Sequence, residues 1–340
     1  MISSSEDSGD EPLNILRNLE VGKWNEFLDS SPESNIFQTP QMRDVFGATK
    51  NYEPVTIATE NDGRIEGLLL GCVIKEGGGL KGTFSSRAIV TGGPLSRKGD
   101  ISGILKAFDE AVGPESLYSQ FRNLGDMSSH RPAFEGLGYS YEDHINYVHD
   151  LTRPIDETWK GFNPSRRRGI KKAEKGGVSV REAGGEEDVR LLYGLLRETY
   201  EVAGVPLADE SLFTSAWRVL KPTGMIRIVL GSKGKDTLAG RLYIIYRDTI
   251  YEWYAGGTSA AKEEHANELL VWDTMQWGSR NGFKRFDFGG AGRPGEDYGP
   301  GEFKRLFGGA MTSFGRYEKV YHPIKNLIGR KGYDLLRRFG

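Results

Sequence analysis

The sequence predicts an α/β (α+β) protein of two similar domains, each a mixed sheet flanked by helices. Its 340 residues exceed the usual size of a single domain. Patterns typical of strands and helices also follow the same order in both halves of the chain. With 37% hydrophobic and 11% aromatic residues, the chain has enough apolar side chains for packed cores and is not wholly disordered.

Each half is predicted to contain two helices, three strands, a further helix and a final strand. In the first half these are the helical patterns VGKWNEFLDS and PQMRDVFG, strands beginning at YEPVTIATENDG, the helix ISGILKAFDEAVG and the strand SLYSQFRNLG. In the second half they are EEDVRLLYGLLRETYEVAG and DESLFTSAWRVLK, strands beginning at GMIRIVLGSKG, the helix ANELLVWDTMQWGSRNG and the strand FKRFDFGG. We therefore expect two domains of similar topology rather than one continuous sheet.

The domain boundaries follow from this repeat. We expect a flexible acidic tail over residues 1–12, a first domain over residues 13–150 and a second domain over residues 151–315. Pro154 follows a strand pattern and can open a helix, which marks the join. Residues 316–340 are left over once the second unit is complete, and we expect this C-terminal segment to pack back on the first domain.

Charge and cysteine content limit the classes of function. The net charge of -2 and the pI near 6.3 give no overall case for nucleic-acid binding. The lone Cys72 permits no internal disulfide, and the acidic start of the chain is unlike a secretory signal, so we expect a cytoplasmic protein. No apolar run is long enough for a transmembrane helix. The five histidines lack metal-ligand spacing, so no metal site is expected.

A basic segment, NPSRRRGIKKAEKGGVSV, lies just after the join. Asn163 can cap a helix that starts at Pro164 and ends before Gly176 and Gly177. One interpretation is an exposed basic helix at the start of a domain. The other is a phosphate grip, in which guanidinium groups and free backbone amides act together at a helix N-terminus. On the second interpretation the phosphate-binding residues are Arg166, Arg167, Arg168, Lys171 and Lys172.

A glycine-rich stretch, FDFGGAGRPGEDYGPGEFKRLFGG, begins at the carboxyl end of the last predicted strand. Because ligands bind at that end of the strands in open α/β sheets, the glycines are interpreted as turns that let a ligand approach the backbone. Lys304 lies on a short predicted helix, where its ammonium can meet a phosphate or a developing oxyanion. The alternative is that Lys304 is a solvated helix residue and the glycines only form turns. The candidate substrate-binding residues in this stretch are Gly289, Gly290, Tyr298 and Phe303.

Asp287 lies in the last predicted strand, beside these glycines. It is a candidate for orienting or accepting the proton of an attacking amine. An acid at the end of a strand more often has a structural role, and the sequence leaves both interpretations open.

Five segments, in this order, resemble the Fem-type (FemABX) aminoacyltransferases and their relatives, the BioF2-like acetyltransferases. They are NIFQTPQMRDVFG, FNPSRRRGIKKAEKGGVSV, YEWYAGG, ELLVWDTMQWGSRNGFKRFDFGG and FKRLFGG. The resemblance implies two GNAT-like domains in tandem. It also implies that Lys304 supports catalysis or contacts a phosphate. The aromatic strand is implied to line the acceptor channel, which makes Tyr254 a candidate catalytic residue and Trp253 a candidate substrate contact.

The chain departs from the family pattern in two places. Met42 replaces the usual aromatic residue after the QTP segment, and no long helical-hairpin insertion follows the join, so the tRNA-gripping arm of some relatives is absent. The loop that holds the CoA pyrophosphate in ordinary GNAT enzymes is also missing its pattern. Its place reads AGGTSAAKEEHANELL, where two acids would repel a diphosphate.

The best-known members of the family transfer an amino acid from aminoacyl-tRNA to an amine of a peptidoglycan precursor. We therefore expect transfer of an aminoacyl group onto an amine of an anionic cell-envelope precursor, with peripheral membrane contact if that acceptor is lipid-linked. One alternative is an acyl-CoA-dependent N-acyltransferase acting on an amino sugar or a surface-polysaccharide precursor. A second is a non-catalytic module that binds nucleotide-linked sugars. No cofactor is expected, apart from acyl-CoA as the alternative donor substrate. The sequence does not indicate which oligomeric state the protein adopts.

Overall fold

The structure is a computed structural model that describes residues 14–75 and 85–327. The predicted acidic tail over residues 1–12 lies outside these ranges, and so does most of the predicted C-terminal helix. Of that helix, the structure describes residues 323–327, and these are helical.

The first half of the chain follows the predicted succession of helices and strands. Two helices, three strands, a helix and a strand correspond to α1, α2, β2, β3, β4, α3 and β6. The elements are β1 (Asn14–Leu16), α1 (Val21–Asp29), α2 (Pro40–Gly47), β2 (Tyr52–Asn61), β3 (Arg64–Ile74), β4 (Arg87–Thr91), β5 (Leu95–Ser96), α3 (Ser102–Val112), β6 (Tyr118–Arg122), α4 (Arg131–Gly136), β7 (Ser140–Glu142) and β8 (Ile145–Asp150).

The second half repeats the succession as α7, α8, β10, β11, β12, α10 and β13. Its elements are α5 (Ile155–Gly161), α6 (Pro164–Lys175), β9 (Val178–Glu182), α7 (Glu186–Ala203), α8 (Glu210–Leu220), β10 (Ile226–Lys233), β11 (Asp236–Tyr246), β12 (Thr249–Gly257), α9 (Ser259–Glu263), α10 (Ala266–Arg280), β13 (Arg285–Gly290), α11 (Gly299–Arg305), β14 (Ala310–Ser313) and β15 (Arg316–Val320). Asn163 caps α6 as predicted, because its side-chain oxygen accepts a hydrogen bond from the Ser165 amide.

Two mixed sheets confirm the predicted α/β fold class. The first has the strand order β1-β2-β3-β4-β6-β15-β7, with β5 paired to β3, and the second has the order β14-β8-β13-β12-β11-β10-β9. In each sheet the described strands include one parallel pair, β4 with β6 and β12 with β13. The helices α3 and α10 make the crossover connections between these parallel strands. The two sheets therefore share their central topology.

The two halves of the chain each contribute one strand to the other half's sheet. β8 pairs with β13 and β14 of the second sheet, while β15 lies between β6 and β7 of the first. The chain passes from the first sheet to the second over residues 143–144 and returns over residues 314–315. The predicted boundary at Asp150 puts β8 in the first domain, whereas its hydrogen bonds put it in the second sheet. The C-terminal segment returns to the first sheet through β15.

Gln38 of the QTP segment is fully buried and joins β3 to β4. Its side-chain nitrogen donates to Leu70 O at 3.1 Å and to Thr91 O at 2.9 Å, and its side-chain oxygen accepts from the Leu70 amide at 2.7 Å. The Trp24 indole donates to the Gln38 carbonyl at 2.8 Å. Because buried backbone groups need partners, this glutamine completes the sheet where the two strands separate.

One apolar core is shared by the two halves of the chain. Buried Trp24 and Phe27 of α1 belong to the same cluster as Phe213 of α8 and Leu242 of β11. Two further clusters lie within the halves, one under α3 and one under α10. Apolar contact between the halves therefore fixes the elements that border the cleft between them.

The described residues contain neither a membrane-spanning helix nor a cluster of metal-binding side chains. No helix within residues 14–75 and 85–327 is long and apolar enough to cross a membrane. Within the same ranges no group of three or more His, Cys, Asp or Glu side chains is arranged to hold a metal ion. Cys72 is buried, and burial raises the pKa of its thiol to about 12, so the neutral thiol is a packing group rather than a nucleophile.

Candidate active site

The parallel strands β12 and β13 are paired over three residues and then diverge. Their pairing ends at Tyr251 and Asp287. On its other side β12 carries a bulge, because the register with β11 changes between Leu242 and Tyr243 and leaves Trp253 as the extra residue. A gap therefore opens between the second half of β12 and the end of β13. It lies at the carboxyl ends of both strands, where ligands bind in α/β sheets.

Lys304 of α11 occupies this gap. Its ammonium nitrogen lies 2.5 Å from Phe288 O, 2.9 Å from Gly290 O and 3.8 Å from Glu252 Oε1. Burial lowers the pKa of Lys304, and the carboxylate of Glu252 opposes that shift. The ammonium donates two hydrogen bonds to backbone carbonyls and makes one longer ion pair with a carboxylate. Lys304 thus ties the end of β13 to β12, and its charge is directed at protein groups rather than at an open anion site.

A network of buried charges holds α11 over the gap. Glu252 also pairs with Arg241, and their side chains are only 6% and 4% exposed. The ring of Phe303 contacts two guanidinium groups, at 4.9 Å from that of Arg241 and 4.3 Å from that of Arg166. Cations placed over an aromatic ring are attracted by its negative π-face. Phe303, a predicted substrate contact, is therefore an anchor for α11.

Arg166 is not free to grip a phosphate, contrary to the anion-binding interpretation of the basic segment. Its Nη1 pairs with Glu268 Oε1 of α10 at 2.6 Å, its Nη2 donates to Phe303 O at 3.3 Å, and its side chain is only 13% exposed. Burial lowers the pKa of the guanidinium, and Glu268 opposes this. A buried arginine with these partners has a structural role.

The other predicted phosphate contacts lie on the outer side of α6. Arg168, Lys171 and Lys172 are exposed, and Arg167 is half-buried. Lys172 Nζ donates to the Glu263 carbonyl at 3.1 Å, next to α9. Among the described residues, no hydrogen bond or ion pair engages the side chain of Arg167 or Arg168. These two remain candidates for contact with a large anionic partner.

Asp287 is fully buried on β13. Its Oδ1 accepts from the Gly289 amide at 2.8 Å, and its Oδ2 accepts from Arg285 Nη2 at 3.0 Å. Burial raises the pKa of Asp287, and Arg285 opposes that shift. With both oxygens occupied and no solvent contact, this carboxylate orients the turn at Gly289. It does not reach an amine directly.

Aromatic residues form one wall of the cleft. The Tyr254 ring lies edge-on to Phe213 at 4.7 Å and beside Trp253 at 5.4 Å, and Trp253 meets Phe37 of the first half at 6.2 Å. Burial raises the pKa of Tyr254 well above its ordinary value, so its hydroxyl is protonated at neutral pH. Tyr254 is therefore a hydrogen-bond donor rather than a base. Tyr298, another predicted substrate contact, is 41% exposed.

Gly289 and Gly290 are needed for different reasons. Gly289 has φ +67°, a backbone conformation that side chains disfavour. Gly290 has no positive φ, but a Cβ there would lie 2.7 Å from His144 Cε1 and 3.5 Å from Arg316 Nη2. The turn at Gly289 and the close approach at Gly290 bring the end of β13 against the first sheet.

The face of the first sheet that meets Gly290 carries charged side chains. Arg122 of β6 and Arg316 of β15 lie directly opposite each other, while their neighbours Phe121 and Tyr317 point into the core. The sequence analysis missed this pair. The available signal was the alternation of buried aromatic and polar residues in YSQFR and RYEKV, typical of strands with one covered face.

Comparison with known proteins shows which domain and which fold this chain resembles. Residues 164–305 match the family model described as an acetyltransferase (GNAT) domain. No curated protein sequence matches the chain. A crystal structure of FemX has a TM-score of 0.70, is 14% identical in sequence, and covers 93% of this chain and 100% of its own.

Two further structures have the same architecture. The L-PGS structure from Bacillus licheniformis has a TM-score of 0.56 at 12% identity and covers 94% of this chain and 97% of its own. A tandem GNAT protein from the clavulanic acid biosynthesis pathway has a TM-score of 0.58 at 12% identity and covers 91% of this chain and 99% of its own.

Residues 164–305 are therefore similar to a GNAT acetyltransferase domain. The chain as a whole has the tandem GNAT fold that it shares with FemX, as its resemblance to the Fem-type proteins implied.

Proposed function

We propose that this chain is an acyltransferase and that it moves an aminoacyl group from aminoacyl-tRNA onto an amine of an anionic cell-envelope precursor. The observation that carries the proposal is the cleft in which the gap between β12 and β13 opens beside the arginines of the first sheet. The gap between β12 and β13 offers backbone groups to a reacting carbonyl. The arginines of the first sheet offer positive charge to an anionic acceptor.

The chemistry needs a free amine that attacks an activated ester and a site that stabilises the resulting oxyanion. Beyond Tyr251, β12 has no register partner in β13, which leaves backbone amides at this edge for an oxyanion. The protonated hydroxyl of Tyr254 is a further donor. Lys304 keeps the gap in shape by holding the carbonyls of Phe288 and Gly290. On breakdown of the intermediate the ester oxygen leaves with the electron pair, and the amine proton passes to water.

The segment before α10 argues against the usual way of holding CoA. In place of a glycine-rich loop, residues 259–263 form the short helix α9. The acids Glu263 and Glu264 lie there, and Glu264 pairs with Lys233 at 2.7 Å. A diphosphate at this place meets these two carboxylates, which repel it. This supports an aminoacyl-tRNA donor over acyl-CoA.

Acyl-CoA-dependent N-acylation of an amino sugar is the second candidate, since the matching family model is described as an acetyltransferase domain. Thermal protection by charged tRNA, uncharged tRNA, acetyl-CoA and longer acyl-CoAs separates the two, because a ligand that binds the native state raises its melting temperature. We expect protection by charged tRNA beyond that by uncharged tRNA, and transfer of a labelled aminoacyl group to an amine-bearing precursor. Tight, saturable acetyl-CoA binding in calorimetry would overturn this ranking.

A further inference from the structure

Arg122 and Arg316 form a pair of like charges on adjacent strands. The antiparallel register of β6 and β15 places the two residues directly opposite each other, with their side chains on the same face. Like charges in this position repel and destabilise a sheet. Such a pair therefore calls for a compensating charge.

Within the described part of the chain, no carboxylate forms a hydrogen bond or ion pair with either arginine, and Glu142 is the carboxylate whose charge raises the pKa of Arg316 against the effect of burial. Arg122 Nε donates to Gln120 Oε1 at 3.0 Å, and Gln120 Nε2 donates to Glu318 Oε2 at 3.1 Å. The neutral amide of Gln120 thus separates Arg122 from the nearby acid and aims its guanidinium. Arg316 makes no side-chain hydrogen bond or ion pair with the residues described. Its neighbour Glu142 is engaged by Arg293 at 2.6 Å.

The surroundings add to the unbalanced positive charge. Burial, and then the charge of Arg122, lower the pKa of Arg316 to about 10, which leaves it protonated at neutral pH. Burial lowers the pKa of His144 to about 4, with Arg316 adding to the shift, so that imidazole is neutral. Arg122 is exposed to solvent. Two cations therefore lie together on a face of the sheet that solvent reaches at Arg122.

The two arginines adjoin the gap in the second domain. A Cβ on Gly290 would lie 3.5 Å from Arg316 Nη2, and the Gly290 carbonyl is the one that Lys304 holds. Tyr298 and Arg316 are close enough for each to influence the other's pKa. An anion bound between the arginines thus lies close to Gly290 at the end of β13.

We propose that Arg122 and Arg316 bind the diphosphate of the acceptor and that this contact sets the acceptor's amine at the gap between β12 and β13. Two guanidinium forks match the oxygens and the charge of a diphosphate better than those of a single carboxylate. Gln120 is a positioning residue, since it acts through Arg122. The anion site stands on its own geometry, and only the identity of the acceptor rests on the proposed function.

Calorimetric titration tests the anion site without any donor. The probes are inorganic pyrophosphate, a nucleoside diphosphate sugar and a short-chain prenyl diphosphate, and the last two distinguish a nucleotide-linked from a lipid-linked acceptor. Arg122→Gln and Arg316→Gln should each weaken pyrophosphate binding by about tenfold to a hundredfold, the scale of a charged hydrogen-bonding contact. The pyrophosphate affinity of Arg122→Lys should lie between those of the wild type and Arg122→Gln, because lysine keeps the positive charge but lacks the two parallel N–H groups of a guanidinium. The control is Arg131→Gln, an exposed arginine paired with Glu135.

The melting temperature measured without ligand distinguishes a binding role of the two arginines from a structural role. Because each glutamine variant removes a repulsion, its melting temperature without ligand should equal or exceed that of the wild type. Binding that matches the Arg131→Gln control, or a melting temperature that falls in both glutamine variants, would overturn the inference. If pyrophosphate binds as expected but the wild type transfers no aminoacyl group, the proposed function fails and the anion site stands.

Discussion

The ammonium of Lys304 lies 3.8 Å from the carboxylate of Glu252, and both side chains are buried between strands that have stopped pairing. An open sheet would be weakened at this point, since the backbone carbonyls there have no strand partner. The lysine supplies that partner to Phe288 and Gly290. Its position in the chain suggested a group that meets the substrate, whereas its contacts give it a positioning role.

Replacing Lys304 with methionine should lower both stability and turnover. The variant keeps the aliphatic stem but leaves two carbonyls unpaired and Glu252 with Arg241 alone. Loss of one partner from a buried ion pair costs about 3 kcal/mol, which thermal unfolding measures directly. Lys284→Met is the control, because Lys284 is 66% exposed and pairs with Asp248 at the surface. An unchanged melting temperature for Lys304→Met would mean that the lysine is a solvated helix residue.

Asp287→Asn should reduce stability and leave the shape of the pH–rate profile unchanged. The asparagine fits the same space, but it loses the charge that faces Arg285 and weakens the bond to the Gly289 amide. A loss of about 1–3 kcal/mol is the usual scale for a buried hydrogen bond to a charged group. If Asp287 accepted the substrate's proton, the acidic limb of the profile would disappear in the variant. That outcome would restore it as a general base.

Alanine substitution of Arg166 and of Arg168 should have different effects on the melting temperature. Arg166→Ala should lower the melting temperature by several degrees, since the buried Glu268 loses its arginine partner and keeps the His265 ring at 3.3 Å, a loss of about 3 kcal/mol. Arg168→Ala should leave it nearly unchanged, because its side chain is exposed. Binding of charged tRNA, measured on both variants, tests whether Arg168 contacts the donor. Equal melting temperatures for the two variants would contradict the buried role of Arg166.

His149 should make the fold sensitive to acid. It is 5% exposed, and burial lowers its pKa to about 4. Between an unfolded value near 6.5 and this folded value the unfolded chain binds more protons, so stability falls as the pH is lowered through that range. The full difference corresponds to about 3 kcal/mol. His149→Leu should flatten the fall in melting temperature between pH 6.5 and 4, and the half-buried His130→Leu serves as the control. Identical pH curves for wild type and His149→Leu would refute this.

Local patterns predicted the order of elements but not all of their partners. The repeat of helices and strands was readable because amphipathic spacing is encoded within each segment. The exchange of β8 and β15 was not readable, since the strands they pair with lie far away in sequence. The run of three arginines illustrates the same limit. Arg166 shares its helix face with Ile170 and Ala173, both fully buried, and that spacing was the signal that separates it from Arg168.

The exchanged strands also determine how the cleft is hinged. β7 pairs with β15, and β8 pairs with β14, so the outgoing and returning segments form a two-stranded ribbon that runs from one lobe to the other. A pair of strands resists twisting and shear better than a single linker does. A single proteolytic cut at residues 143–144 or 314–315 would leave the two halves of the molecule connected through the other segment of this ribbon.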